Sequence, residues 1–147
     1  MISYLSARPS RDLIVAARQQ LTYEWWLHRK DEYQVFVSEL VIKEASAGDA
    51  EAANRRLAWL DGIERLKTRP EADDLAELLL ARLNLPEKAS ADALHTAIAA
   101  CHGMDFVLSW NVRHISNAEL VPRFEHCCRS LGYRPPVLCT PEQLMGI

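Results

Sequence analysis

Residues 90–110, SADALHTAIAACHGMDFVLSW, decide how the rest of the chain is read. Ser90 stands where a helix cap belongs and Gly103 where a left-handed stop belongs. Between them Leu94, Ala97, Ile98 and Cys101 recur at three- and four-residue spacing, which predicts an apolar-faced helix from 90 to 103. Residues 105–110, DFVLSW, then form a nearly continuous apolar run, the pattern of a strand in a parallel sheet covered on both faces. A helix, a glycine turn and a buried strand in this order are the parts of an α/β unit.

The flanking segments repeat the alternation. Upstream, Pro70 breaks the chain, and Leu75, Leu78, Leu79 and Leu83 predict a helix ending near Pro86. Asp49 caps another helix, with Ala53, Leu57 and Leu60 on one face and Gly62 as its stop, and a strand over 63–68 follows. Residues 33–38, YQVFVS, are short, β-branched and aromatic, as a buried strand is. Residues 11–29 carry Ile14, Ala17, Leu21 and Trp25 on one helical face, with Ser10 as the cap. Downstream the pattern predicts a helix over 117–131 closed by Gly132 and a short strand over 136–139. Residues 140–143, TPEQ, then read as a capping box with proline at the first helical position. Alternating helices and short strands favour a three-layer α/β/α sandwich with a mainly parallel sheet over a helical bundle or an all-β fold. No low-complexity linker, repeat or block of like charge divides the chain, so residues 1–147 are expected to be a single domain.

The totals agree with one ordinary core: 147 residues, 49% apolar and 25% charged. A net charge of −3 excludes a chain-wide basic surface, so any nucleic-acid contact must be local. The first residues lack the charged-then-apolar run of a signal peptide, and no stretch reaches about 18 uninterrupted apolar residues. The expectation is a cytoplasmic protein without a membrane segment. Cys101, Cys127, Cys128 and Cys139 form no C-x-x-C pair, so packed, reduced thiols are expected. Cys101-His102 and His126-Cys127-Cys128 make a poor chelating set, because adjacent residues point apart on a helix.

Ligands of open parallel sheets bind at the carboxyl ends of the strands, so polar residues at those ends are the candidates. Ser38 to Glu44 follow the first strand, Asp92 and His95 lie on the helix before DFVLSW, and Asn111 to His114 come after it. Glu44 sits about one and a half helical turns past YQVFVS, either facing the strand ends or solvated beside Lys43. Asp92 falls in the first helical turn, where a carboxylate is favourable for electrostatic reasons alone. Its helix is otherwise so apolar that an acid at its start also suits a cleft or a metal, with Thr96 four residues on as a hydrogen-bond partner. His95 fits a packed residue better than a ligand. Ser109 and Asn111 would share one strand face, with Trp110 opposite. Arg113 is either a phosphate-steering cation beside the carboxylates or an ordinary surface charge, as are Arg8 and Arg11.

Residues 38–44 and 91–117, the latter reading ADALHTAIAACHGMDFVLSWNVRHISN, resemble signature regions of the PIN-domain ribonucleases, especially the VapC-like toxins. The specific part is the 27 residues from Ala91 to Asn117. The resemblance implies that Glu44, Asp92 and Asn111 hold one or two Mg²⁺ or Mn²⁺ ions, hard cations that prefer oxygen. It implies supporting roles for Ser38, Thr96, Ser109 and Arg113, and cleavage of an RNA phosphodiester by metal-activated water. It further implies a homodimer and a small antitoxin protein covering the acidic cleft. Two departures stand out. The opening strand of the family, with its terminal acid, has no counterpart before the residues Met1-Ile2-Ser3-Tyr4-Leu5, so the chain reads as N-terminally truncated and a start further upstream is expected. Asn111 offers a neutral carbonyl oxygen where a carboxylate is common, which lowers metal affinity. A catalytically degenerate PIN-like module binding RNA or protein is therefore the alternative. A third reading is a structural protein dimerising through exposed Trp25, Trp26 and Trp59.

Overall fold

Of the 147 residues, the computed structural model describes 1–111 and 114–146, which fold as a mixed α/β protein. They divide into two compact units, Met1–Leu66 with the segment from Pro141 in one and Lys67–Thr140 in the other.

The first unit contains α1 (Ile2–Ser6), α2 (Leu13–His28), β1 (Phe36–Ser38), α3 (Glu39–Ala45), α4 (Ala50–Trp59) and β2 (Glu64–Leu66). Helix α1 went unread because five residues are too few to display a helical period. Asp12, not Ser10, caps α2: its carboxylate accepts the Val15 N–H at 2.9 Å, while the Ser10 hydroxyl accepts the Asp12 N–H at 3.1 Å. The apolar face of α2 is also turned relative to expectation. Trp25 is buried, but Ile14 is 66% exposed and Ala17 is exposed, and the buried line passes through Thr22 instead. Gln19 explains the rotation. Its side chain accepts the Ser10 N–H at 2.8 Å and donates to the Arg8 carbonyl at 3.0 Å, so residues 8–10 lie along the Gln19 side of the helix and the Ile14 side stays open.

Strand β1 passes directly into α3, where the Ser38 hydroxyl accepts the Val41 N–H at 3.2 Å as the N-cap. Arg56 of α4 finishes α3 at its other end by donating to the Ala45 and Ala47 carbonyls at 2.9 and 2.6 Å. Asp49 caps α4 as predicted, accepting the Ala52 N–H at 2.9 Å, and Gly62, at φ 75°, makes the left-handed turn into β2. Val37, Ala45 and Leu60 form the core here, with Ile2, Val41, Ile42, Leu57 and Ile63 packed on it. The three tryptophans expected as exposed anchors are not exposed. Trp25 is 3% exposed, Trp26 and Trp59 are half-buried, and they meet edge-on, with centroids 6.4 Å apart for Trp25 and Trp26 and 6.1 Å for Trp26 and Trp59. Residues 142–144 make a single 3₁₀ turn rather than a helix after the expected capping box.

The second unit contains α5 (Pro70–Arg82), α6 (Ser90–Cys101), β3 (Phe106–Leu108), α7 (Val121–Ser130) and β4 (Val137–Cys139). Pro70 opens α5. Helix α5 packs on α6 and α7; its buried residues are Ala72, Leu75, Ala76 and Leu79, and those of α6 include Ala93, Ala97, Ile98 and Ala100. Alanines on one helix let the leucines of the other approach closely. Ser90 is the first residue of α6 rather than its cap, and its hydroxyl donates back to the Glu87 carbonyl. Helix α7 begins four residues later than predicted. The Asn117 side chain first accepts the N–H groups of Glu119 and Leu120, at 3.1 and 2.9 Å, and Pro122 then sets the first helical turn.

The strands pair in parallel, as predicted, and are distributed over two two-stranded sheets. In the first unit Val37 lies opposite Arg65, and in the second Val107 lies opposite Leu138. Among the described residues no helix is long and apolar enough to cross a membrane. The four cysteines are free thiols, Cys127, Cys128 and Cys139 buried and Cys101 partly so.

Candidate functional site

The second unit contains two of the sequence-predicted residues, Asp92 and Asn111. Helix α6 and strand β3 are joined by four residues, turned at Gly103 with φ 69°, and pack on each other, so they run in opposite directions. Asp92 lies ten residues back from the turn at His102, about 15 Å along the helix. Asn111 lies three residues beyond the end of β3, in the turn that closes the strand. Asp92 in the first turn of α6 and Asn111 beyond the carboxyl end of β3 are the sequence-predicted polar residues of this helix–turn–strand segment.

The groups there are polar and accessible. Asp92 is half-buried in the first helical turn and Asn111 is exposed. The Ser109 hydroxyl accepts the Asn111 N–H at 3.0 Å, a local turn that ends the strand and fixes the backbone carrying the amide. Thr96 is buried, and its hydroxyl donates to the main-chain carbonyl of Asp92 at 2.9 Å rather than to the carboxylate, so it acts on the helix backbone. His95 is half-buried on the same helix. Arg113 lies outside the described residues.

Ser38 and Glu44 belong to the first unit. Ser38 is buried and engaged as the cap of α3, and Glu44 is exposed one residue before that helix ends. Ser38 is the last residue of β1, and Glu44 stands six residues beyond it. Among the described residues no group of three or more His, Cys, Asp or Glu side chains is close enough together to hold a metal ion. Asn111, as an amide, stands outside that test.

Arg69 and Arg134, which sequence reasoning did not single out, and His102, considered there only as a poor metal ligand, fix the turn between α6 and β3. Arg69 donates to the Cys101 carbonyl at 3.4 Å, and a ring nitrogen of His102 lies 2.7 Å from the Lys67 carbonyl. Arg134 pairs with Asp105 at 2.6 Å. Cations beside helix-terminal carbonyls are the signal that marks such residues, but here the partners are about thirty residues apart in sequence. The thiols offer no alternative chemistry: burial pushes Cys128 up to about 12 and Cys139 up to about 11, so both stay protonated at neutral pH.

Compared with known proteins, the chain matches no family model, no curated protein and no solved structure.

Proposed function

We propose that the chain is a metal-dependent endoribonuclease of the PIN-like kind, with its working end at Asp92 and Asn111. The observation that carries this reading is that one unit holds both a half-buried carboxylate in the first turn of α6 and an exposed asparagine just beyond β3. Parallel pairing supports the proposed PIN-like sandwich, since parallel strands belong to sheets with helices on their faces.

The donor chemistry fits a hard cation. Mg²⁺ and Mn²⁺ take oxygen ligands and are commonly held by one or two carboxylates with water completing the shell. Asp92 would supply the charged oxygen and Asn111 a neutral one, with the Ser109 hydroxyl holding the Asn111 main-chain N–H. When bound, the ion would lower the pKa of a coordinated water and neutralise phosphate charge. The chain's own share is to position these two oxygens on rigid elements. Helix α6 is packed against α5 and pinned at its far end by Arg69 and His102, so the Asp92 carboxylate does not have to be ordered when the ion arrives. Glu44, in the first unit, is the further acid that the resemblance implies. RNA as substrate, a second copy and a small antitoxin as partners are proposed on the same ground.

Titration calorimetry with Mn²⁺ on the wild-type chain and on Asp92→Ala tests the reading. Binding in the wild type that falls at least tenfold in Asp92→Ala is the expected result. A second reading, a PIN-like module that binds without cleaving, is favoured by the neutral Asn111, and absence of Mn²⁺ binding in the wild type would select it.

A further inference from the structure

Helices α5 and α7 pack together within the second unit and leave a cleft of about 400 Å³ whose walls carry Leu78, Arg82, Pro122, Arg123, His126 and Cys127. Its floor is apolar, with Cys127 buried and Leu78 half-buried, and its rim carries two guanidiniums, Arg82 and Arg123 being exposed beside an exposed His126. The Arg123 guanidinium donates through Nη2 to the Arg82 carbonyl in the last turn of α5, which ties that cation to the rim and leaves four of its five N–H donors for other acceptors. Both guanidiniums lie near enough to the Cys127 thiol to counter part of the upward push that burial gives it, so they bear on the same point. Two other arginines of this unit are paired with carboxylates, Arg129 with Glu125 and Arg134 with Asp105. Among the described residues, neither Arg82 nor Arg123 is paired with a carboxylate.

Two unneutralised forks on a chain of net charge −3 make a local anion site. The rim is exposed to solvent, which suits a strand crossing the cleft better than a small anion enclosed in it. We propose that the α5–α7 cleft binds the phosphate backbone of single-stranded RNA through Arg82 and Arg123, with His126 as a further donor. The identity of the strand as RNA rests on the ribonuclease reading; the anion chemistry does not.

The test is fluorescence anisotropy of a labelled oligouridylate, in EDTA so that no metal contributes, with wild-type chain, Arg82→Ala, the double variant Arg82→Ala/Arg123→Ala, and Arg55→Ala, which removes an arginine already paired with Glu51. Arg82→Ala leaves the carbonyl that Arg123 holds in place, so it keeps the helix contact while removing one cation. A roughly threefold to tenfold loss of affinity in Arg82→Ala and a larger one in the double variant are expected. The slope of log affinity against log salt should become shallower by about 1.4 in the double variant, two phosphate contacts at about 0.7 each. Arg55→Ala should bind as the wild type does. Unchanged affinity and salt slope in the double variant, no binding by the wild type, or equal competition by polyglutamate and by inorganic phosphate at matched charge would each overturn the proposal. Mn²⁺ binding through Asp92 with no effect of the arginines would sink the cleft alone, whereas arginine-dependent RNA binding without Mn²⁺ binding would sink the ribonuclease reading alone.

Discussion

Cys128 is fully buried and Cys139 nearly so, and burial holds their thiols protonated up to about 12 and about 11, against an ordinary value of 9.0. A folded-state value raised above the unfolded one gives stability that is present below the unfolded value and lost as pH rises toward the folded one. The folded chain should therefore lose stability between about pH 9 and pH 11 or 12, as the unfolded chain releases protons that the native chain keeps. Each thiol contributes at most about 1.4 kcal/mol per pH unit in that window. Urea unfolding at pH 8, 9 and 10 should show the decline, and Cys128→Ala should make it shallower whatever that substitution does to stability at pH 8. An identical slope in the variant would remove the thiol from the account. Residue-level features of this kind were legible in sequence where their cause is local. Asp49 as a cap and Gly62 and Gly103 as left-handed stops depend only on neighbours within one turn, and so does Asp92 in a first helical turn. Arg69 reaching Cys101, 32 residues away, and Arg123 reaching Arg82, 41 away, were not legible, because tertiary packing chooses those partners.

Helix α2 shows the same limit one level up. Its period was correct and its orientation was not, since the direction of burial depended on a glutamine gripping the chain ahead of the helix. Short elements failed for another reason: α1 has five residues and each strand three, too few for a period to stand out. Helices α5 and α6 were readable because an apolar stripe runs their length, and packing follows from it. Leu79 is wholly buried in α5, on the helix that packs against the alanine side of α6. Leu79→Ala should cost about 2 to 5 kcal/mol, the range for a buried leucine whose cavity cannot collapse, read as a lowered denaturation midpoint. A loss below about 1 kcal/mol would mean that the two helices close up over the gap.

The molecule as a whole is divided at Leu66 and Lys67 and again at Thr140 and Pro141, so the chain leaves its first unit, builds the second and returns. Parallel alternation of helices and strands was visible in the sequence, whereas this division was not, because no change of composition marks it. The units differ sharply in one respect. All four cysteines fall within Lys67–Thr140, and three of the four tryptophans, Trp25, Trp26 and Trp59, fall in the other unit. The protein thus carries a separate native clock in each half. Alkylation of Cys127, Cys128 and Cys139 times the opening of one, and the indole emission of the clustered rings times chiefly the opening of the other, with no label introduced into either.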